Sequence, residues 1–152
     1  MVQKFGIGQP VPRSEDPRLL TGRGRYMDDN VLPRETRAYI LRSPHAHATI
    51  LSMDISTAKA APGVMEILTG QDYVDDGYGI LECTPKQKRR DGSPMFEPVN
   101  RVLVLDEVKM VGDYVALVIA ETLDQARDAA ELIEVDYDIL PSVSTPYEAA
   151  QP

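Results

Sequence analysis

The stretch from Val111 to Pro141, VGDYVALVIAETLDQARDAAELIEVDYDILP, limits what this chain can fold into more than any other part of it. Tyr114 to Ala120 is a short apolar run rich in β-branched and aromatic types. With no polar break, it has the pattern of a strand covered on both faces. Thr122 follows as an N-cap, and Gln125 three residues later completes a capping box. Asp124 falls in the first turn, where a carboxylate complements the helix dipole. Ala126, Ala129, Ala130 and Ile133 recur at i, i+3, i+4 and i+7 and form one apolar stripe. A stripe made mostly of alanine lets a helix lie close to a sheet. Glu134 to Leu140 alternates polar and apolar, as a half-exposed strand does, and Pro141 ends it. A buried strand, a capped helix and a second strand in direct succession make the architecture mixed α and β.

The chain has 152 residues, enough for one domain with its own core. Its formal net charge of −8 at pH 7 excludes a general nucleic-acid binder, which needs a dominant basic surface. No apolar run approaches the roughly 20 residues that span a bilayer, and Met1 to Gly6 lacks the apolar core of a signal peptide. Cys83 is the single cysteine, so no internal disulfide framework exists. These features lead to the expectation of a cytoplasmic protein.

Residues 1–34 read as an extended arm. Gly6, Gly8, Pro10, Pro12, Pro17, Gly22, Gly24 and Pro33 leave no room for a long helix or a central strand, and the apolar groups are too few to fold alone. Residues 35–141 hold the regular elements. Thr36 to Arg42 reads as a strand, broken by Ser43-Pro44-His45 and resumed from Ala48 to Ile55. Ser56 is placed to cap a short helix through Ala60, ended by Pro62-Gly63. Val64 to Leu68 is a further strand, and Thr69 to Asp72 turns out of it. Residues 75–100 form a long loop, of the kind that is functional, partner-bound or mobile in a compact domain. Arg101 to Leu105 reads as a strand before the final strand–helix–strand. Residues 142–152 read as a linker.

Several side chains are candidates for chemistry. His45 and His47, two apart on an extended chain, would share a face, but a zinc site needs further ligands at defined spacing and none is nearby. Cys83 is a candidate nucleophile without a histidine close in sequence. Asp72, Asp75 and Asp76 lack the EF-hand pattern and read as a solvated acidic loop. Gly22-Arg-Gly-Arg25 is a weak phosphate cradle, since no convincing helix follows. Arg23, Arg25, Lys88, Arg89 and Arg90 form either a basic contact patch or a solvated face. Arg13, Arg18, Arg23 and Arg25, with Tyr26, are candidate partner contacts, suited to carboxylates or main-chain carbonyls. No Ser-His-Asp arrangement, P-loop or dinucleotide fingerprint is present. No catalytic, cofactor-binding or metal-ligating residue is assigned.

Four stretches, in order, carry a resemblance. The arm from Gly8 to Asp29 (GQPVPRSEDPRLLTGRGRYMDD) resembles the start of the molybdopterin-binding large subunits of the xanthine dehydrogenase and aldehyde oxidase superfamily. The similarity is greatest to the bacterial branch that includes carbon monoxide dehydrogenases. Arg42 to Ile50 (RSPHAHATI) is similar to that family's R-S-P-x-A-H-A-x-I stretch. Ala61 to Val64 followed by Leu68 to Asp72 is the third, and Val111 to Ala116 leading to Ala130–Tyr137 the fourth. Tyr114 stands where the family often has proline, and the 75–100 loop matches less well outside Asp91 to Met95. The resemblance implies an α+β fold of the α/β hammerhead type, in the order β-β-α-β then β-β-α-β. It implies a non-catalytic structural and assembly module of a molybdenum hydroxylase. Such an enzyme hydroxylates a substrate carbon with oxygen from water and passes electrons through [2Fe-2S] clusters to FAD. The partners implied are molybdopterin-binding domains, to which residues 142–152 would lead, an iron–sulfur subunit and a flavin subunit. The family's pterin loops and catalytic glutamate lie beyond the hammerhead domain, so no cofactor is expected in this chain. The rival readings are a free-standing binding module and a small self-contained enzyme using His45, His47 or Cys83.

Overall fold

The computed structural model describes Gly8, residues 12–82 and residues 86–151. Cys83 lies outside the described residues. The chain divides into two units, one ending at Glu35 and the other beginning at Thr36.

In the first unit, Pro17 sits in the opening turn of α1 (Asp16–Leu19), where its missing N–H costs no hydrogen bond. The Arg13 amide donates to the Asp16 carboxylate at 3.3 Å, and the Thr21 hydroxyl donates back to the Pro17 carbonyl at 2.7 Å. The chain reverses at Gly22, whose φ of +69° suits glycine. A Cβ on Gly24 would meet the Leu19 side chain at 2.8 Å, so the turn closes over Leu19. A short 3₁₀ turn, Met27–Asp29, follows, with the Asp29 carboxylate accepting from the Tyr26 amide at 2.9 Å. The prolines and glycines do exclude a long helix, but they leave these two regular turns.

The second unit contains β1 (Arg37–Arg42), β2 (Ala48–Asp54), α2 (Ser56–Lys59), β3 (Val64–Thr69), α3 (Gly70–Asp75), β4 (Glu107–Val108), β5 (Tyr114–Ala120), α4 (Leu123–Glu131), β6 (Glu134–Ile139) and α5 (Pro146–Ala149). Leaving aside α3 and α5, this is the expected order β-β-α-β then β-β-α-β. Two three-stranded antiparallel sheets result, ordered β1-β5-β3 and β4-β2-β6. The apolar run 114–120 becomes the central strand of the first sheet. The α4 cap forms as its sequence predicts: the Thr122 hydroxyl accepts from the Gln125 amide at 3.2 Å, and the Gln125 side chain accepts from the Thr122 amide at 3.0 Å.

The core has two parts. Ala126, Ala129, Ala130 and Ile133 from α4 and its exit pack with Ala116, Val118 and Ala120 of β5, Ile67 of β3 and Ala58 of α2, all buried. Val115, on the opposite face of β5, packs with Ala48 of β2 and Val108 of β4. Leu41, Met53 and Val135 border both parts. Each fully buried Val or Ile here contributes about 1.5–3 kcal/mol.

Three expectations are corrected. Thr69 to Asp72 does not merely turn out of β3; it opens α3 through a second capping box, with the Thr69 amide donating to Asp72 at 2.8 Å. Arg101 to Leu105 is not a strand. Its backbone is used for packing instead: Leu103 is buried, the Val104 amide donates to the Tyr114 carbonyl at 2.9 Å, and the Val104 carbonyl abuts Gly70. The fourth strand comes later and is only two residues long, Glu107 and Val108, paired with Thr49 and Ala48. Ser56 does not cap α2; the residue before it, Ile55, holds the cap position, and the Asp54 carboxylate accepts from the Ser56 amide at 2.8 Å. In the 142–152 segment, Thr145 caps a short helix, α5. Within the long loop, the Arg89 amide bonds the Ser93 carbonyl at 2.8 Å around Gly92, at φ +85°, giving a small hairpin tip. No helix of the described residues is long and apolar enough to cross a membrane.

Candidate functional site

A cluster of polar side chains lies where the break between β1 and β2 meets the turn before β5. Arg42 ends β1. Its guanidinium lies 4.4 Å above the Tyr114 ring and donates to the Gly112 carbonyl at 3.1 Å. Ser43 is buried. Its amide donates to the Asp113 carbonyl at 2.9 Å, and its carbonyl accepts from the Gly112 amide at 2.8 Å. Its hydroxyl accepts from the His45 amide at 3.0 Å and donates to the His45 carbonyl at 3.1 Å. Gly112 has φ +93°, and the Asp113 carboxylate accepts from the amides of Lys109, at 2.6 Å, and Met110, at 3.1 Å. The turn is thereby pinned on both sides.

The two histidines do not share a face, because residues 43–47 bend rather than extend. The His45 ring packs edge-on against Tyr137 of β6, with centroids 4.9 Å apart. Burial pushes the Tyr137 hydroxyl above its usual pKa, against an opposing side-chain contact with Ser43. His47 points elsewhere. Its Nδ1 lies 2.8 Å from the Pro141 carbonyl, and its Nε2 lies 2.8 Å from the Glu107 carboxylate. Both neighbours are acceptors, so only the imidazolium satisfies both. The Pro141 carbonyl, and then Glu107, raise the His47 pKa above its ordinary value.

The other candidates do not join this site. Asp72 caps α3, and the Thr69 hydroxyl and then the Thr69 amide hold its carboxyl below the usual range. The Asp75 carboxylate accepts from the Gln71 side chain at 2.8 Å. Lys59 and Glu66 pair across α2 and β3 at 2.9 Å, raising the pKa of the lysine and lowering that of the acid. Lys88, Arg89 and Arg90 lie on the exposed hairpin of the second unit, whereas Arg23 and Arg25 belong to the first. Gly22-Arg-Gly-Arg25 is the turn that closes over Leu19, not a cradle opening a helix. Arg13, Arg18, Arg23, Arg25 and Tyr26 are all exposed, and Arg18 reaches Glu15 at 3.6 Å.

Among the described residues, no three His, Cys, Asp or Glu side chains converge as a metal site would require. Sequence reasoning passed over Arg42, Ser43, Glu107 and Tyr137. The available signal was the pairing of a strand-breaking Ser-Pro with a Gly-Asp turn, each next to an aromatic or charged residue.

Comparison with known proteins gives the same answer over nearly the whole chain. Residues 21–141 match the family described as aldehyde oxidase and xanthine dehydrogenase, a/b hammerhead domain. The carbon monoxide dehydrogenase large chain of Afipia carboxidovorans is 38% identical over 97% of this chain and 17% of its own length. The nicotine 6-hydroxylase large subunit of Paenarthrobacter nicotinovorans is 38% identical over 95% of this chain and 17% of its own. The solved structure of quinoline 2-oxidoreductase from Pseudomonas putida 86 superposes with a TM-score of 0.78 at 39% identity, over 97% of this chain and 18% of that one. The chain thus spans less than a fifth of the length of these relatives. The interlock built from Arg42–His47 and Gly112–Tyr114 joins two of the stretches that carried the resemblance, and with the match over residues 21–141 it places this chain in the α/β hammerhead family of aldehyde oxidases and xanthine dehydrogenases.

Proposed function

We propose that this chain is a non-catalytic structural and assembly module of a molybdenum hydroxylase large subunit. The observation that carries the reading is the use made of the family motifs. The polar side chains of Arg42, Ser43 and His47 go into internal contacts, and the His45 ring packs on Tyr137. That arrangement holds a scaffold together and leaves no nucleophile–base pair among these residues. It also weighs against a self-contained enzyme using His45 or His47.

In this reading the molybdenum cofactor, the [2Fe-2S] clusters and FAD are held by other domains and subunits of a cytoplasmic complex, which hydroxylates a substrate carbon with oxygen from water. Residues 1–34 dock on a partner surface through Arg13, Arg18, Arg23, Arg25 and Tyr26. Residues 35–141 support the molybdopterin-binding domains, and the segment after Pro141 leads toward them. Substrate choice lies outside this segment. Support for that comes from its near-equal identity, 38%, 38% and 39%, to relatives named for carbon monoxide, nicotine and quinoline.

The test is a purification of the tagged chain from its own cells, beside the same 152 residues produced alone. We expect molybdenum and iron to accompany the first and neither metal to accompany the second. Stoichiometric metal in the isolated chain, or turnover by it that is lost in Cys83→Ser, would overturn the reading.

A further inference from the structure

We propose that His47 is a protonation-dependent clasp on the chain where it leaves β6. As imidazolium it ties the Pro141 carbonyl to the Glu107 carboxylate of β4, and loss of its second proton releases the exit segment Ser142–Ser144.

The geometry carries this. The Leu140 amide donates to the His47 carbonyl at 3.0 Å, completing the main-chain attachment of β6 at this end. The His47 ring then takes hold of the next residue, through Nδ1 and the Pro141 carbonyl. Pro141 has no N–H of its own, so its carbonyl is the group it has to offer. The opposite ring nitrogen is anchored on Glu107, 60 positions away in sequence and on a different strand. A neutral imidazole has one N–H and must give up one of the two bonds. Whichever tautomer forms, the bridge from β4 to the exit is broken. Ser142 and Val143 line an open groove with His47, Glu107, Lys109 and Met110, so the released segment has space to move.

Two charged groups act on the ring. Glu107 on β4 favours the cation, and Lys109, just beyond β4, opposes it; the exit from β6 presents a neutral carbonyl. The net shift is upward. The clasp is therefore fully closed below the pKa of an unfolded histidine and opens as pH rises through the higher folded value. Release therefore falls above the ordinary histidine pKa.

The experiment is a pH titration of the 152-residue chain by NMR. It follows the His47 ring nitrogens in folded and urea-denatured protein, and the heteronuclear NOE of the Ser142, Val143 and Ser144 amides. We expect the folded His47 midpoint to lie above the denatured one, the three NOE values to fall across that titration, and Glu107→Gln to lower the midpoint. A folded midpoint at or below the denatured value overturns the clasp. So do NOE values that stay level while His47 titrates, or a Glu107→Gln midpoint equal to wild type.

Discussion

The two sheets of the second unit are held together by different physics. The first, β1-β5-β3, is covered by α4 and closed by buried alanines and branched aliphatics. The second, β4-β2-β6, buries Ala48 and Val108 against Val115 of β5 and exposes Leu51 and Ile139. Its rim near Pro141 is secured by His47, which bridges the Pro141 carbonyl and Glu107 of β4. Apolar packing does not depend on pH, whereas a bridge built on histidine does. The first sheet therefore carries packing that is insensitive to pH, and the second carries the contact that is sensitive to it.

The sharpest break in this comparison is Ala130→Asp. The substitution puts an unpaired carboxylate on a residue that is 1% exposed, between α4 and β5, at a cost on the order of 3–5 kcal/mol. Urea denaturation reads it directly, and a midpoint close to wild type would show that α4 does not seal the first sheet. Gly70→Ala ranks next. A Cβ there would lie 2.0 Å from the Val104 carbonyl oxygen, and overpacking against backbone costs about 1–3 kcal/mol. An unchanged thermal midpoint in that variant would mean that residues 101–105 do not pack over α3. Thr122→Ala removes the α4 cap and is expected to cost about 1 kcal/mol by the same assay; no loss would mean that the helix start is held by packing alone.

The second sheet is probed by His47→Gln, with thermal midpoints compared across pH. Because the folded His47 pKa is raised, wild type holds its advantage below about pH 6.5 and loses it as pH rises through the folded value. A gap that widens with pH would contradict the His47–Glu107–Pro141 bridge. Lys88→Asp, on the exposed hairpin, should change stability by no more than about 0.5 kcal/mol. A larger loss would place that loop in the core.

What was legible in the sequence follows the same division. Residues 114–139 could be read as strand, capped helix and strand because every signal there is local: a run, a capping box, a 3.6-residue stripe and an alternation. The second sheet resisted the same reading. Its fourth strand is two residues long, too short for any period to show. The pairs that secure it join His47 to residues 60 and 94 positions away, and no local pattern encodes such contacts. α3 was hidden because Gly70 is a poor helix former, and the reason for glycine there, close approach to Val104, is itself a tertiary contact. The continuous apolar run from Val102 to Leu105 imitated a strand while serving as a packing layer.

The proposal that this chain is an assembly module turns on its first unit. Arg13, Arg18, Arg23, Arg25 and Tyr26 are exposed there, and Leu20, Met27, Val31 and Leu32 are more than two-thirds exposed. Ordering such a segment against a partner costs about 1–2 kcal/mol per residue fixed, so it needs a surface that repays it. The most direct measurement deletes residues 1–29 and records both the thermal midpoint of the remaining chain and its co-purification with molybdenum and iron from its own cells. The account predicts a folded chain that no longer brings the metals with it. A chain that unfolds without the arm, or one that assembles as before, would contradict it.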